Sequence, residues 1–161
     1  MKTNYSLQKV GYAKCLILER CKPFSINKAY YVKTMTLTRE ARAWRSSIFA
    51  QLRKKENQIA LEYLRNLNDG KIGYVMNMHF YVPKSTLITK AGSLSSKGMD
   101  LSNVEKLLQD IIFNKRFFER KELKNLNADD KLVVRLVSEK IPSDRYDIVI
   151  KIQTVKLIEK E

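Results

Sequence analysis

Between residues 72 and 82 the chain alternates. Tyr74, Met76, Met78, Phe80 and Val82 fall on one side, and Val75, Asn77, His79 and Tyr81 on the other. A period of two marks a half-buried strand. A different rhythm starts after Thr38, where Trp44, Ile48, Leu52, Ile59 and Tyr63 follow a period of about 3.6 residues. That predicts a long helix, N-capped by Thr38, running to about Leu67 and stopped by Asn68-Asp69-Gly70. Leu101, Val104, Leu108, Ile111 and Ile112 predict a second helix over 101–114. Residues 14–20 read as a strand ending before Pro23, and Tyr30, Tyr31, Val32, Thr34 and Thr36 as a second extended piece. Residues 131–138 and 145–157 are strand-like, and the turn Ile141-Pro142-Ser143-Asp144 between them reads as a hairpin. Residues 83–99 are rich in Ser, Gly and Lys without a period, a basic loop long enough to suggest function. The order strand, helix, strand, helix, strand, strand implies one α+β domain over 1–161 with a mixed sheet. Residues 1–12 read as a flexible arm.

Composition narrows the class. No apolar run approaches the roughly 20 residues that span a bilayer, and the N-terminal stretch MKTNYSLQKVGYAK lacks the apolar core of a secretory signal. Cys15 and Cys21 do not form a CxxC pair, and they read as reduced thiols of a cytoplasmic protein. Charge changes the picture more. The chain carries 31 Lys and Arg against 17 Asp and Glu, a net +14. Residues 1–55 hold 13 of the basic residues and only Glu19 and Glu40, a net of +11, which leaves +3 for the other 106 residues. Such a block implies a polyanionic partner, and a basic ribosomal or membrane-surface protein would also show it.

Against that background two acidic segments stand out, Asp100 through Asp110 opening a helix and Asp129-Asp130 opening a strand. Asp100, Asn103, Lys106 and Asp110 lie at offsets 0, 3, 6 and 10. At roughly 100° per residue they share an arc of about 120° beside the apolar face. Mg²⁺ takes hard oxygen ligands, commonly one or two carboxylates with water and substrate phosphate, so this pattern in a basic chain suggests a metal-dependent nuclease. Asp100 at a helix N-terminus also suits phosphate binding, and Lys106 could neutralise transition-state charge. The bland alternative is an ordinary solvated helix face with an N-terminal Asp and a loop-ending acidic pair. In extended chain only one of Asp129 and Asp130 would reach a given face of the sheet.

These motifs resemble the RusA-type Holliday-junction resolvases, from about Leu16 to Val155. The resemblance rests on Pro23-Phe24-Ser25-Ile26-Asn27, the aromatics Tyr30 and Tyr31, and a helix carrying Arg42 and Trp44. It continues through the basic loop, the helix pattern Asp100-x-Ser102-Asn103-x-x-Lys106-x-x-x-Asp110, and Asp129-Asp130. It implies a homodimeric, Mg²⁺- or Mn²⁺-dependent endodeoxyribonuclease that binds four-way DNA junctions and cuts symmetry-related strands in recombination and repair. By position it implies Asp100, Lys106 and Asp130 as catalytic. Asp100 and Asp130 would hold metal, with Ser102, Asp110 and Asp129 as further candidates. Ser102 stands where the best-known members carry a second acid, and an uncharged hydroxyl is a weaker ligand. Asn27, Lys28, Lys84, Lys90, Lys97 and Asn103 are the expected DNA contacts. A rival reading is an inactive branched-DNA or RNA binding protein with a decayed metal site. His79, the only histidine, reads as structural or DNA-proximal, and Trp44 as core.

Overall fold

The computed structural model describes residues 4–67, 71–96, 98–113 and 130–160. Its sheet has four strands, β1 (Tyr5–Leu18), β2 (Gly73–Pro83), β3 (Val133–Ser143) and β4 (Asp147–Glu159), in the order β1-β4-β2-β3. β4 pairs antiparallel with both β1 and β2, and β3 pairs parallel with β2, so the sheet is mixed and the architecture α+β. The alternation along β2 holds residue for residue: Tyr74, Met76, Met78, Phe80 and Val82 are buried and the residues between them are half-buried. Ile148, Ile150 and Ile152 of β4 continue the buried face. The two most apolar strands therefore occupy the centre of the sheet.

That placement overturns the expected hairpin. β3 and β4 are joined by only Asp144–Tyr146, yet β2 lies between them. Two strand spacings amount to about 10 Å, and the four steps from Ser143 to Asp147 reach about 13 Å, so the connection arches over the end of β2. Asp147 anchors the far side, its carboxylate accepting from Arg20 N–H and from Arg145 Nε, each at 2.8 Å.

β1 begins at Tyr5 rather than at residue 14, so it takes in residues 5–12 that read as an arm. A bulge between Val10 and Lys14 re-registers it. Gly11 sits there at φ +64°, and a Cβ in its place would meet Tyr63 Oη at 2.6 Å. Side chains satisfy the irregular backbone: Tyr12 N–H donates to Tyr63 Oη at 2.8 Å, and Gln153 Nε2 to the Val10 and Gly11 carbonyls. Residues 30–36 form a turn closed by a single bridge, Tyr30 to Leu37, instead of a second extended piece.

The long helix is two helices, α1 (Arg39–Leu52) and α2 (Lys55–Asn66), with Thr38 capping α1 as expected. The break shifts the apolar phase, so Ile59 is 55% exposed while Ala60, Leu61 and Leu64 are buried. Asn57 explains the break. Buried at the junction, it exchanges hydrogen bonds with both Ile17 N–H and Ile17 C=O, each at 2.8 Å, and caps the Gln51 carbonyl at 2.9 Å. Gln58 Nε2 caps Leu52 O at 2.6 Å. Asn57 thus stands in for a missing strand at the β1 edge, and an unbroken helix would not present it there. Trp44 packs against the core beside Phe24, with Nε1 donating to Lys22 O.

Parallel strands need a crossover, and the chain from β2 to β3 supplies one. The stretch 83–99 is more structured than its composition suggests. It holds a short helix α3 (Lys84–Leu87), then a turn closed by the Ile88–Leu94 bridge with Gly92 at φ +82°. Helix α4 (Leu101–Phe113) follows, with Val104, Leu107, Leu108, Ile111 and Ile112 buried.

Candidate active site

Burial of the apolar stripe of α4 turns its polar stripe outward. Asp100 immediately precedes the helix, and its Oδ1 accepts from Ser102 N–H at 3.1 Å and from Ser102 Oγ at 2.8 Å. Asn103 Nδ2 approaches Oδ2 at 3.4 Å. This is N-cap geometry, and the helix dipole favours the carboxylate's charge there. Ser102 and Asn103 therefore fix the orientation of Asp100, which stays exposed with lone pairs to spare. The Asn103 side-chain oxygen is likewise an available hard donor.

Further along α4, Lys106 Nζ pairs with Asp110 Oδ1 at 2.9 Å. Ten residues rise about 15 Å, whereas two ligands of one Mg²⁺ at about 2.1 Å lie within roughly 4 Å of each other. Asp100 and Asp110 of one chain therefore do not share an ion, and Asp110 already neutralises the lysine.

Contacts across α4 set its direction. Gly98 lies beside Lys140 Nζ and the Thr86 carbonyl, and Glu105 accepts a short hydrogen bond from Ser138 Oγ on β3. α4 thus runs antiparallel to β3. The 3-10 turn Asp130–Leu132 that leads into β3 also touches α4, so its backbone lies toward the C-terminal half of the helix, with Lys106 and Asp110. Asp100 holds the other end. Asp129, Lys97 and the side chain of Asp130 lie outside the described residues.

Among the expected DNA contacts, Asn27 and Lys28 are exposed on a 3-10 turn, Ile26–Lys28, that packs against α4. Pro23, Ser25 and Thr38 shape this turn: Ser25 Oγ accepts from Asn27 N–H, and Thr38 Oγ1 donates to Lys28 O. Lys84 and Lys90 are exposed on the segment leading to Asp100. Sequence reasoning missed Glu105, Ser138 and Lys140. Glu105 falls off the polar stripe, and its partner is 33 residues away, so no local signal marks it. His79 pairs with Glu139 at 3.1 Å on the face of the sheet opposite the described helices.

The donors at the start of α4, a carboxylate, a hydroxyl and an amide oxygen, suit a hard cation such as Mg²⁺. Among the described residues no three acids, His or Cys converge. No described helix is long and apolar enough to cross a membrane.

A mixed sheet carrying an oriented helix-terminal carboxylate in a chain of net charge +14 defines a protein suited to phosphodiester chemistry. The family model described as endodeoxyribonuclease RusA matches residues 21–153. The chain belongs to that family, and it is an endodeoxyribonuclease, a hydrolase acting on Holliday junctions. None of the curated proteins compared matches it.

Proposed function

We propose that this protein resolves four-way DNA junctions as a homodimer, by divalent-metal-dependent hydrolysis of symmetry-related phosphodiesters. The observation that carries the reading is Asp100, held as an exposed carboxylate at the N-terminus of α4 by Ser102 and Asn103. Asp100 and Asp130 would hold Mg²⁺ or Mn²⁺. Bound there, the ion would supply Lewis-acid polarisation of the scissile phosphate and a lowered pKa for the attacking water.

The chain's own groups do the rest. Ser102 orients Asp100 by hydrogen bonding, so an acid is not needed at that position to hold the carboxylate in place. The α4 N-terminus adds backbone N–H groups and a positive dipole end for phosphate. Lys106, released from Asp110 toward substrate, would offset charge on the leaving group. Asn27 and Lys28 on the neighbouring turn, with Lys84 and Lys90, would grip phosphates without reading bases.

The separation of Asp100 from the Asp130 turn along α4 supports the dimer. Two copies related by a twofold axis, with their α4 helices antiparallel, would set Asp100 of one chain against the Asp130 turn of the other. The same axis matches the twofold symmetry of the junction. The test is incubation of the protein with a four-way junction and a matched linear duplex, with and without Mg²⁺. Paired cuts in the junction alone, only with metal, are expected. Binding without cutting under any divalent metal would return the decayed-site reading.

A further inference from the structure

The helices cover one face of the sheet, and the other face carries an unassigned feature. There the side chains of Lys9 (β1), Lys151 (β4) and Arg135 (β3) surround a concavity of about 370 Å³, with Asn77 and Gln153 between them and Val75 in the floor. All three cations are exposed, and none has a carboxylate partner among the described residues. Of the acids on this face, Glu139 pairs with His79 and Asp147 with Arg145, and Glu159 lies opposite Tyr5 at the far end of β4.

We propose that this concavity is a second DNA-backbone site, which holds a duplex arm away from the scissile phosphate. The proposal rests on the protein's acting on DNA and adds a surface outside the α4 region. Charge complementarity identifies the occupant. From β1 to β3 is three strand spacings, about 14 Å, and one strand of duplex presents a phosphate every 3.4 Å or so of axis, so about four phosphates face this span. The lysine stems and Val75 offer apolar contact to deoxyribose, and Asn77 offers neutral donors between the cations. A second copy of the chain fits poorly, since two such faces would set six cations against one another. Position also fits. Arg135 and Ser138 project to opposite faces of the edge strand β3, and Ser138 touches Glu105 of α4. An arm bending around that edge reaches both surfaces.

The experiment measures binding in EDTA by fluorescence anisotropy, as a function of salt, for a linear duplex and a four-way junction. The variant combines Lys9→Gln, Arg135→Gln and Lys151→Gln. On both DNAs its slope of log K against log salt should be shallower than wild type by about 0.9 for each phosphate no longer neutralised, roughly 2 to 3 units. Arg135→Lys should keep the wild-type slope. Lys151→Gln alone should remove about 0.9, which keeps the test available if the triple variant does not fold. Inorganic phosphate and a mononucleotide, at matched ionic strength, should not displace the duplex. An unchanged slope overturns the proposal. So does displacement by either small anion, which would make this a small-ligand pocket. A triple variant that sediments as a monomer where wild type is a dimer overturns it too, because the face would then join two copies. Duplex binding needs no cleavage, so a wild type that leaves junctions uncut would sink the resolvase reading while this slope is still measured.

Discussion

The two faces of the sheet solve opposite problems. On the helix-covered face the polar groups are matched: Asn57 pairs with β1 backbone, Thr154 Oγ1 with Val10 O, Glu105 with Ser138, Trp44 Nε1 with Lys22 O. Among the described residues no buried side-chain polar atom lacks a partner. On the open face Lys9, Arg135 and Lys151 stand together with no carboxylate partner among the described residues. Burial makes pairing obligatory on the first face, since an unmatched buried group costs about 1–3 kcal/mol. Exposure makes it optional on the second. A cluster of like charges left unpaired there does nothing for the fold, so its use lies outside it. Asp100 is the exception on the helix side, an exposed acid whose partners orient it without neutralising it.

Several measurements would break or sharpen that contrast. The largest effect should come from Asp100→Asn, which keeps the cap's shape and removes the charge. Junction cleavage should fall by more than the roughly 10–100-fold that removal of a metal ligand's outer partner costs, with junction binding retained. Wild-type cleavage by this variant would remove Asp100 from the chemistry. Mixing inactive Asp100→Asn with inactive Asp130→Asn tests the shared site. If each site draws on both chains, random heterodimers regain one intact site, about a quarter of wild-type sites overall. If each site lies within one chain, no activity returns.

Next in size is Asn57→Ala, which should destabilise by about 2–3 kcal/mol, because it strands partly buried groups at Ile17 and the α1 terminus. Thermal melting should fall by several degrees, while Lys151→Gln leaves the melt within about 0.5 kcal/mol of wild type. Removing Lys84 and Lys90 together should flatten the salt slope by about one unit for each true phosphate contact. The smallest effect is read from the two thiols. Cys21 is buried, and desolvation pushes its pKa up to about 12. Burial disfavours the thiolate, so at pH 8 Cys21 should resist an aromatic disulfide reagent. Cys15, exposed beside Lys151, should react, and duplex DNA should slow it. Equal labelling of both thiols in the folded protein would contradict the described burial.

Those elements whose partners are local were legible in the sequence. β2 and α4 each carry their apolar positions at one clear period, and every residue assigned to the apolar side of β2 is buried. The Thr38 cap and the Asp100 stripe were readable for the same reason. What was hidden depends on distant chain. The α1–α2 break answers to Ile17, 40 residues from Asn57. The turn read at Ile141-Pro142-Ser143-Asp144 fell early, because β3 pairs with β2 through Ser143 and the chain turns over Asp144–Tyr146, and strand pairing placed β2 between the strands it joins. The site divided in the same way. The acids of α4 announced themselves, whereas Glu105 needed Ser138 to acquire a context, and the cations of the open face come from three strands scattered over about 140 residues.

The position of β4 has a consequence for how the chain assembles. Among the described strands β1 has β4 as its only neighbour, and β4 is also the only link between β1 and the β2–β3 pair. During synthesis this strand emerges some 130 residues before its partner, at about 5–20 residues per second a wait of roughly 6 to 26 seconds. Throughout that interval the edge that β4 will take is open, and the buried-face leucines, Leu16 and Leu18, have α1 and α2 to lie against. Such high-separation pairing slows folding. The basic bias of the first 55 residues, +11 in net charge, then has a second consequence: mutual repulsion keeps nascent chains from pairing through the waiting strand.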